Sequence, residues 1–241
     1  MSQVMETIRN GVDTEQLFGT LNAVKAQPEL ASFRWRAHNE WIHGAHNRST
    51  IKDFYAACQE DGSRMEAFTV DAGEPAILCG TDTGPNPAEY LLHALAACLT
   101  TSLVFVAAAR GVGLTRVETF ALDAGEPAIL CGTDTGPNPA EYLLHALAAC
   151  LTTSIVYVAA ARKVELTSVE STLTGDMDVR GALGVDEEPR NGFERIGVSF
   201  RVTGNAPEEK LRDVVERARQ RSAVYDMVTN GVPVDLALTT G

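Results

Sequence analysis

Two cysteines, Cys98 and Cys150, close two copies of one motif, Asn-Pro-Ala-Glu-Tyr-Leu-Leu-His-Ala-Leu-Ala-Ala-Cys, at 86–98 and 138–150. A cysteine attacks an electrophile as the thiolate, and a free thiol with a pKa near ~8.5 is mostly protonated at neutral pH. Each of these cysteines lies twelve residues past its asparagine, too deep in a helix for the terminal dipole to activate it. A nearby cation must supply that activation. Glu89 and Glu141 are the carboxylates of the motif. Glu89 precedes Cys98 by nine residues, which on one helix is about 13 Å of rise and about half a turn of rotation. Such a pair meets only across two antiparallel copies, as a two-fold arrangement supplies. Each residue also has a plainer reading. Cys98 and Cys150 suit a buried core as small apolar residues, and Glu89 and Glu141 suit the third helical position, where they cap.

The positioning element is legible in detail. Asn86 is a good N-cap, Pro87 sits at the first helical position, and Glu89 can bond back to the cap. A helix is predicted from Asn86 to about Arg110, stopped by Gly111, and again from Asn138 to Arg162. Residues 71–102 and 123–154 are identical at an offset of 52, so the helix belongs to a tandem duplication with copies at 65–116 and 117–168. Two copies do not make a solenoid, which needs three or more units. Each helix carries a 19-residue apolar run, Leu91–Ala109 and Leu143–Ala161, long enough to span a bilayer. His93, Thr100, Thr101 and Ser102 interrupt the run, Glu89 and Arg110 bound it, and no aromatic belt or basic cluster flanks it. Helices buried at the centre of a globular protein are therefore expected rather than a membrane hairpin.

Around them, Asp13 and Gln16 open a short helix ended by Pro28, so residues 1–30 read as a helical extension before a domain at 31–241. Phe33–His38 alternates as a strand, Gly44–Ser49 reads as a turn, and Phe68–Val70 and Ala76–Cys79 are short strand candidates. Ser168–Val179 and Phe193–Val202 read as strands, Pro207 opens an amphipathic helix, and Val232–Leu238 alternates as a last strand. Strands, helices and strands in this order give an α+β fold, with a long apolar central helix packed by antiparallel sheet. Only one set of later strands exists to cover two helices. The helices are expected to pack on each other, bringing Glu141 towards Cys98 and Glu89 towards Cys150, with one half left bare. Assembly with a second chain, with exchanged segments, is the expected remedy.

The net charge of −12 disfavours nucleic acid as a partner. The five cysteines (Cys58, Cys79, Cys98, Cys131 and Cys150) are an odd set without small-domain spacing, and no secretory segment opens the chain, so reduced thiols and a cytoplasmic location are expected. His38, His43 and His46 lack a carboxylate or thiol that would complete a metal site. No metal or cofactor is expected.

The stretch from Asn86 to Cys98, its copy from Asn138 to Cys150, the segment Gly44–Tyr55 and the ending Arg221–Asp226 resemble the OsmC/Ohr family (osmotically inducible and organic-hydroperoxide-resistance proteins). The resemblance covers roughly residues 30–240 once one copy is set aside. It implies an α+β domain assembled as a homodimer, and a thiol-dependent peroxidase that reduces organic hydroperoxides at the expense of a thiol reductant. By this resemblance Cys98 or Cys150 is the attacking thiol, Glu89 or Glu141 the supporting carboxylate, and Arg48, preferred over Arg64, the supporting cation. Two positions depart from the family's pattern. Ser222 stands where a second, resolving cysteine is usual, leaving Cys58, Cys79 or Cys131 as substitutes. Ala88 and Ala140 follow the Asn-Pro pair, where many members have the glutamate. A non-catalytic, small-molecule-binding relative is the alternative.

Overall fold

The structure, a computed structural model, describes residues 7–115, 117 and 123–237. A two-stranded hairpin, β1 (Ile8–Arg9) and β2 (Val12–Asp13), leads into α1 (Thr14–Ala26), whose first turn is capped by the Asp13 side chain. Then come β3 (Ser32–His43), β4 (His46–Ile51), β5 (Phe54–Ala56), β6 (Gln59–Asp61) and β7 (Phe68–Ala72). The duplicated helices are α2 (Pro87–Ala109) and α3 (Pro139–Ala161), followed by β8 (Leu166–Asp178), α4 (Val179–Ala182), β9 (Arg195–Gly204), α5 (Glu208–Arg219) and α6 (Ala223–Asn230). The chain is α+β, with both long helices where the caps placed them. Asn86 and Asn138 each accept from the backbone N–H three residues on, while Glu89 and Glu141 return a carboxylate to the cap N–H.

β3 is the spine of one seven-stranded antiparallel sheet. β8 runs along one edge of it and β9 lies outside β8, while β4 and β5 share the other edge, extended by β7 and β6. α3 lies across the inner face of this sheet. Trp35 packs in tilted contact with Phe33 at 5.4 Å and with Phe54 at 4.8 Å in the same core. On α3 the stripe Leu144, Leu147, Leu151, Ile155 and Val158 is buried. Each such Leu or Ile contributes roughly 1.5–3 kcal/mol by leaving water, so the stripe is a main anchor of the fold. The same stripe on α2, now Leu92, Leu95, Leu99, Leu103 and Val106, is exposed. Both helices are long and apolar enough to cross a membrane, but only α3 is enclosed by protein. The loop 73–86 connects β7 to α2, and residues 162–165 connect α3 to β8.

Several sequence expectations are corrected. Only Gly44 and Ala45 turn, and the rest of the supposed turn is β4. Its inward residues Asn47 and Ser49 are polar because they bond α3: Asn47 Nδ2 donates to Thr153 Oγ1 at 3.4 Å, and Ser49 Oγ meets His145 Nδ1 at 2.6 Å. Ala76–Leu78 is a 3₁₀ turn ended by Cys79 in the left-handed region, φ 62°, rather than a strand. Residues 232–237 form no strand although they alternate; Pro233 lacks a ladder donor. Leu238 lies outside the described residues, as do the flanking residues 118–122 of the second copy.

Candidate functional site

α2 and α3 pack on each other reciprocally. The Tyr90 ring meets the His145 ring edge-on at 4.3 Å, and Tyr142 meets His93 in the same way at 4.6 Å. Tyr90 and Tyr142 stack at 6.1 Å between them. Each phenol donates to the carbonyl nineteen residues upstream, Tyr90 to Asp71 and Tyr142 to Asp123, at 2.6 and 2.7 Å. Residues equivalent in the two copies thus exchange contacts, which is the signature of a two-fold interface, here within one chain. The pairings run in opposite senses along the two helices, so the helices are antiparallel.

That arrangement carries Cys98 to the first turn of α3. Cys98 and Asn138, Pro139 and Ala140 line one cavity of about 240 Å³, together with Glu126, Leu130, Phe105, Trp35, Met177 and, from α1, Leu17 and Leu21. The walls are mostly apolar. Cys98 itself is exposed at this cavity; the surrounding protein still pushes its thiol up by desolvation and the charge of Glu126 adds to this, while a hydrogen bond with Ser102 pulls it down. Glu126 itself is pushed up to about 7, first by burial and then by Glu141, against the pull of Arg64. Its loop is tightly wound: Asp134 N donates to the Glu126 carbonyl at 3.0 Å, and a Cβ on Gly132 would overlap that same carbonyl. Gln16 Nε2 donates to Ala128 O at 3.2 Å and ties α1 over the loop.

Behind the first turn of α3 lies a buried ion cluster. Arg64 donates to Glu141 through both terminal nitrogens, at 2.6 and 3.1 Å, and through Nε to both oxygens of Asp134 at 3.0 Å. Its guanidinium also lies 5.1 Å from the Phe54 ring centroid and 4.9 Å from that of Phe68. Burial opposes the Arg64 charge, but the bonds with Glu141 and Asp134 outweigh it and keep the guanidinium protonated. Burial likewise pushes Glu141 up against the pull of Arg64. Glu89, its twin, is exposed and holds the Asn86 cap at 2.8 Å.

Arg48 sits elsewhere. Asn47 and Ser49 face α3, so strand alternation turns Arg48 to the opposite face of the sheet. There it donates to both oxygens of Asp71, at 2.8 and 3.1 Å. Of the two candidate arginines, Arg64 is the one that meets a helix carboxylate. Cys150 is half-buried and is not among the cavity residues. Ser222 Oγ donates to its sulfur at 3.1 Å and also caps α6. Cys58 and Cys79 are exposed, as Cys98 is, and Cys131 packs near α1, with Thr20 Oγ1 at 3.7 Å. Among the described residues no three His, Cys, Asp or Glu side chains gather as a metal site requires.

Sequence reasoning passed over Glu126, Asp134 and Trp35. Nothing local marks Glu126, because Glu74 has identical neighbours and lies in the other copy; only packing separates them.

The sequence model described as OsmC-like protein matches residues 80–128 and 132–237. The two matches begin at Gly80 and Gly132, the same position of the two copies. No curated protein matches the chain. Among solved structures, an OsmC-like hydroperoxide resistance protein from Jannaschia sp. CCS1 is similar to the chain at 12% identity, with a TM-score of 0.43, covering 88% of this chain and 95% of that one. Since the family's model matches well over half of the 241 residues, this chain belongs to the OsmC-like protein family.

Proposed function

We propose that the protein is a thiol-dependent peroxidase that reduces organic hydroperoxides at Cys98. The observation that carries this reading is the cavity: a cysteine opens into an apolar chamber beside a carboxyl group whose pKa lies near neutrality. An apolar chamber suits an organic hydroperoxide better than hydrogen peroxide. Because the Cys98 thiol is pushed up, it is protonated at neutral pH and needs a base. Glu126, poised near pH 7, is the residue placed to take that proton. The sulfur then attacks the terminal peroxide oxygen and the O–O bond breaks. Cys98 becomes a sulfenic acid, and the proton passes to the departing alkoxide to give the alcohol. Arg64, already shared between Glu141 and Asp134, holds the first turn of α3 in place rather than serving the thiol directly.

Resolution falls to an external thiol, which condenses with the sulfenic acid to a mixed disulfide and water; a second thiol equivalent releases Cys98. This chemistry requires a reducing compartment, consistent with a cytoplasmic site, and we propose a homodimer that shelters the exposed stripe of α2. The raised Cys98 thiol and Ser222 in the place of a resolving cysteine favour a second reading, a non-catalytic protein that binds apolar small molecules in the same cavity. Stopped-flow consumption of cumene hydroperoxide with excess dithiothreitol separates the two. The peroxidase reading expects turnover that C98S abolishes and C150S spares. Turnover no faster than free dithiothreitol, or loss only in C150S, would refute it.

A further inference from the structure

The exposed stripe of α2 has an internal symmetry. Leu92, Leu95, Leu99, Leu103 and Val106 follow one another at intervals of three or four residues, each 40–59% exposed, which is the spacing of a coiled-coil seam. Leu99 is its centre, seven residues from Leu92 and seven from Val106. Two exposed charges bracket the stripe, Glu89 ten residues before Leu99 and Arg110 eleven after it. These charges are 21 residues apart, three whole heptads, so both flank the same side of the seam. Each end carries a second charge of the same sign. Burial first, and then the charge of Glu89, push the Glu74 carboxyl up, and the Arg9 guanidinium lies 3.1 Å from the place a Cβ on Gly111 would take. The second copy shows what such groups need. On α3 the same stripe is buried, and Glu141 and Arg162 pair with Arg64 and Asp213.

We propose that the α2 stripe is an interface with a second copy of this chain, in which two α2 helices pair antiparallel about a two-fold axis at Leu99 and Glu89 of each copy faces Arg110 of the other. This gives the homodimer proposed above its contact surface and does not depend on the peroxidase reading. A two-fold contact must be self-complementary. Reversing the stripe about Leu99 lays Leu92 on Val106 and the acidic end on the basic end. The antiparallel sense also sets the positive N-terminal end of one helix dipole beside the negative C-terminal end of the other. A lipid surface fits this face less well, because anionic headgroups repel its acidic end and the chain's net charge of −12. The face offers about nine residues per copy against roughly 20–30 a side in a standard interface, so the dimer is weak and dissociates at about micromolar concentration or above.

Sedimentation velocity over about 1–100 μM brackets that dissociation constant. The parent protein should dimerise reversibly, and less at high salt. L99E should weaken the dimer more than about 100-fold by setting two buried like charges on the axis. R110E should weaken it about tenfold, because two exposed pairs become repulsive. E89R/R110E exchanges the signs and should return to within about threefold of the parent. These residues are exposed in a single copy, and circular dichroism confirms that each variant keeps its helices. Under mild oxidation L99C should join to itself, and L92C mixed with V106C should join to it, as peptide mapping reads. L92C joined to itself would mean a parallel pair and overturn the proposal. A monomer at every concentration overturns this interface and the homodimer together. A dimer indifferent to L99E and R110E overturns this interface alone and leaves the homodimer to another surface. Binding to phosphatidylcholine vesicles without dimerisation would give the stripe to a lipid surface and overturn the proposal as well.

Discussion

Leu92 and Leu144 are the same residue of the same sequence in two surroundings, and substituting each by alanine measures which copy holds the core. Leu144 is 0% exposed and Leu92 is 59% exposed. A fully enclosed Leu→Ala change costs roughly 2.7–5 kcal/mol through lost transfer energy and the cavity left behind. L144A should therefore lose about 3 kcal/mol or more. L92A removes atoms already mostly in water and should lose no more than about 0.5 kcal/mol. In urea, with a slope of roughly 2.5 kcal/mol per molar, the midpoints should fall by about 1.2 M and about 0.2 M. Helix propensity cancels in the comparison, because the neighbours are identical. Circular dichroism at low micromolar concentration reads both transitions. Equal losses, unchanged on tenfold dilution, would show that the two helices are equivalent and the assignment of α3 to the sheet wrong. An L92A loss that grows with protein concentration would instead report a second chain on α2.

Other consequences follow from the ion cluster, the cysteine–serine contact and the titrating carboxyl. R64M leaves Glu141 buried without its counter-ion and should cost about 3–5 kcal/mol, whereas R64M/E141Q should recover part of that loss; thermal melts of both variants check this. S222C places a thiol where an oxygen now lies 3.1 Å from Cys150, so mild oxidation should form a disulfide that removes two titratable thiols, and C150S should prevent it. Glu126 binds its proton more tightly in the folded state, with a pKa near 7 against 4.5 for the free group. Its contribution is complete below about pH 4.5 and is lost as pH rises through 7, so E126Q should gain stability relative to the parent between these pH values, as urea midpoints at each pH would show. His145 has the opposite sign: burial lowers it to about 3, and its contribution is lost as pH falls from 6.5 towards that value.

Both duplicated helices were legible to within a residue, because cap, proline and capping glutamate are local signals written in adjacent letters. The antiparallel meeting of the two helices was expected from a two-fold pairing of the copies; the spacing of Glu89 and Cys98 says only that they cannot touch within one helix, and the structure gives Glu141 to Arg64 and Glu89 to the Asn86 cap. β4 was hidden because Asn47 and Ser49 face a polar stretch of α3 and so break the expected alternation of apolar residues. α6 was passed over because its helix begins at Ser222, which drew notice only as a substitute for cysteine. Arg64 could not be ranked above Arg48 from sequence. One faces a helix and the other the far side of a sheet, and that depends on the register of strands twenty or more residues apart. Glu126 was beyond reach in principle, since an identical twin shares its neighbours.

The connections to the sheet favour the second copy over the first as the one that fills the core. A single helix in this position would own both an entry loop from β7 and an exit loop to β8. The duplication has divided them: α2 keeps the entry, residues 73–86, and α3 keeps the exit, residues 162–165. The helices differ only at Leu103/Ile155 and Phe105/Tyr157, and chain entropy adds to that difference. Closing a loop of 14 residues rather than 4 costs about 1 kcal/mol more, which favours α3. A flexible insert after Arg162 removes that entropic advantage and is expected to loosen the hold of α3 on the sheet.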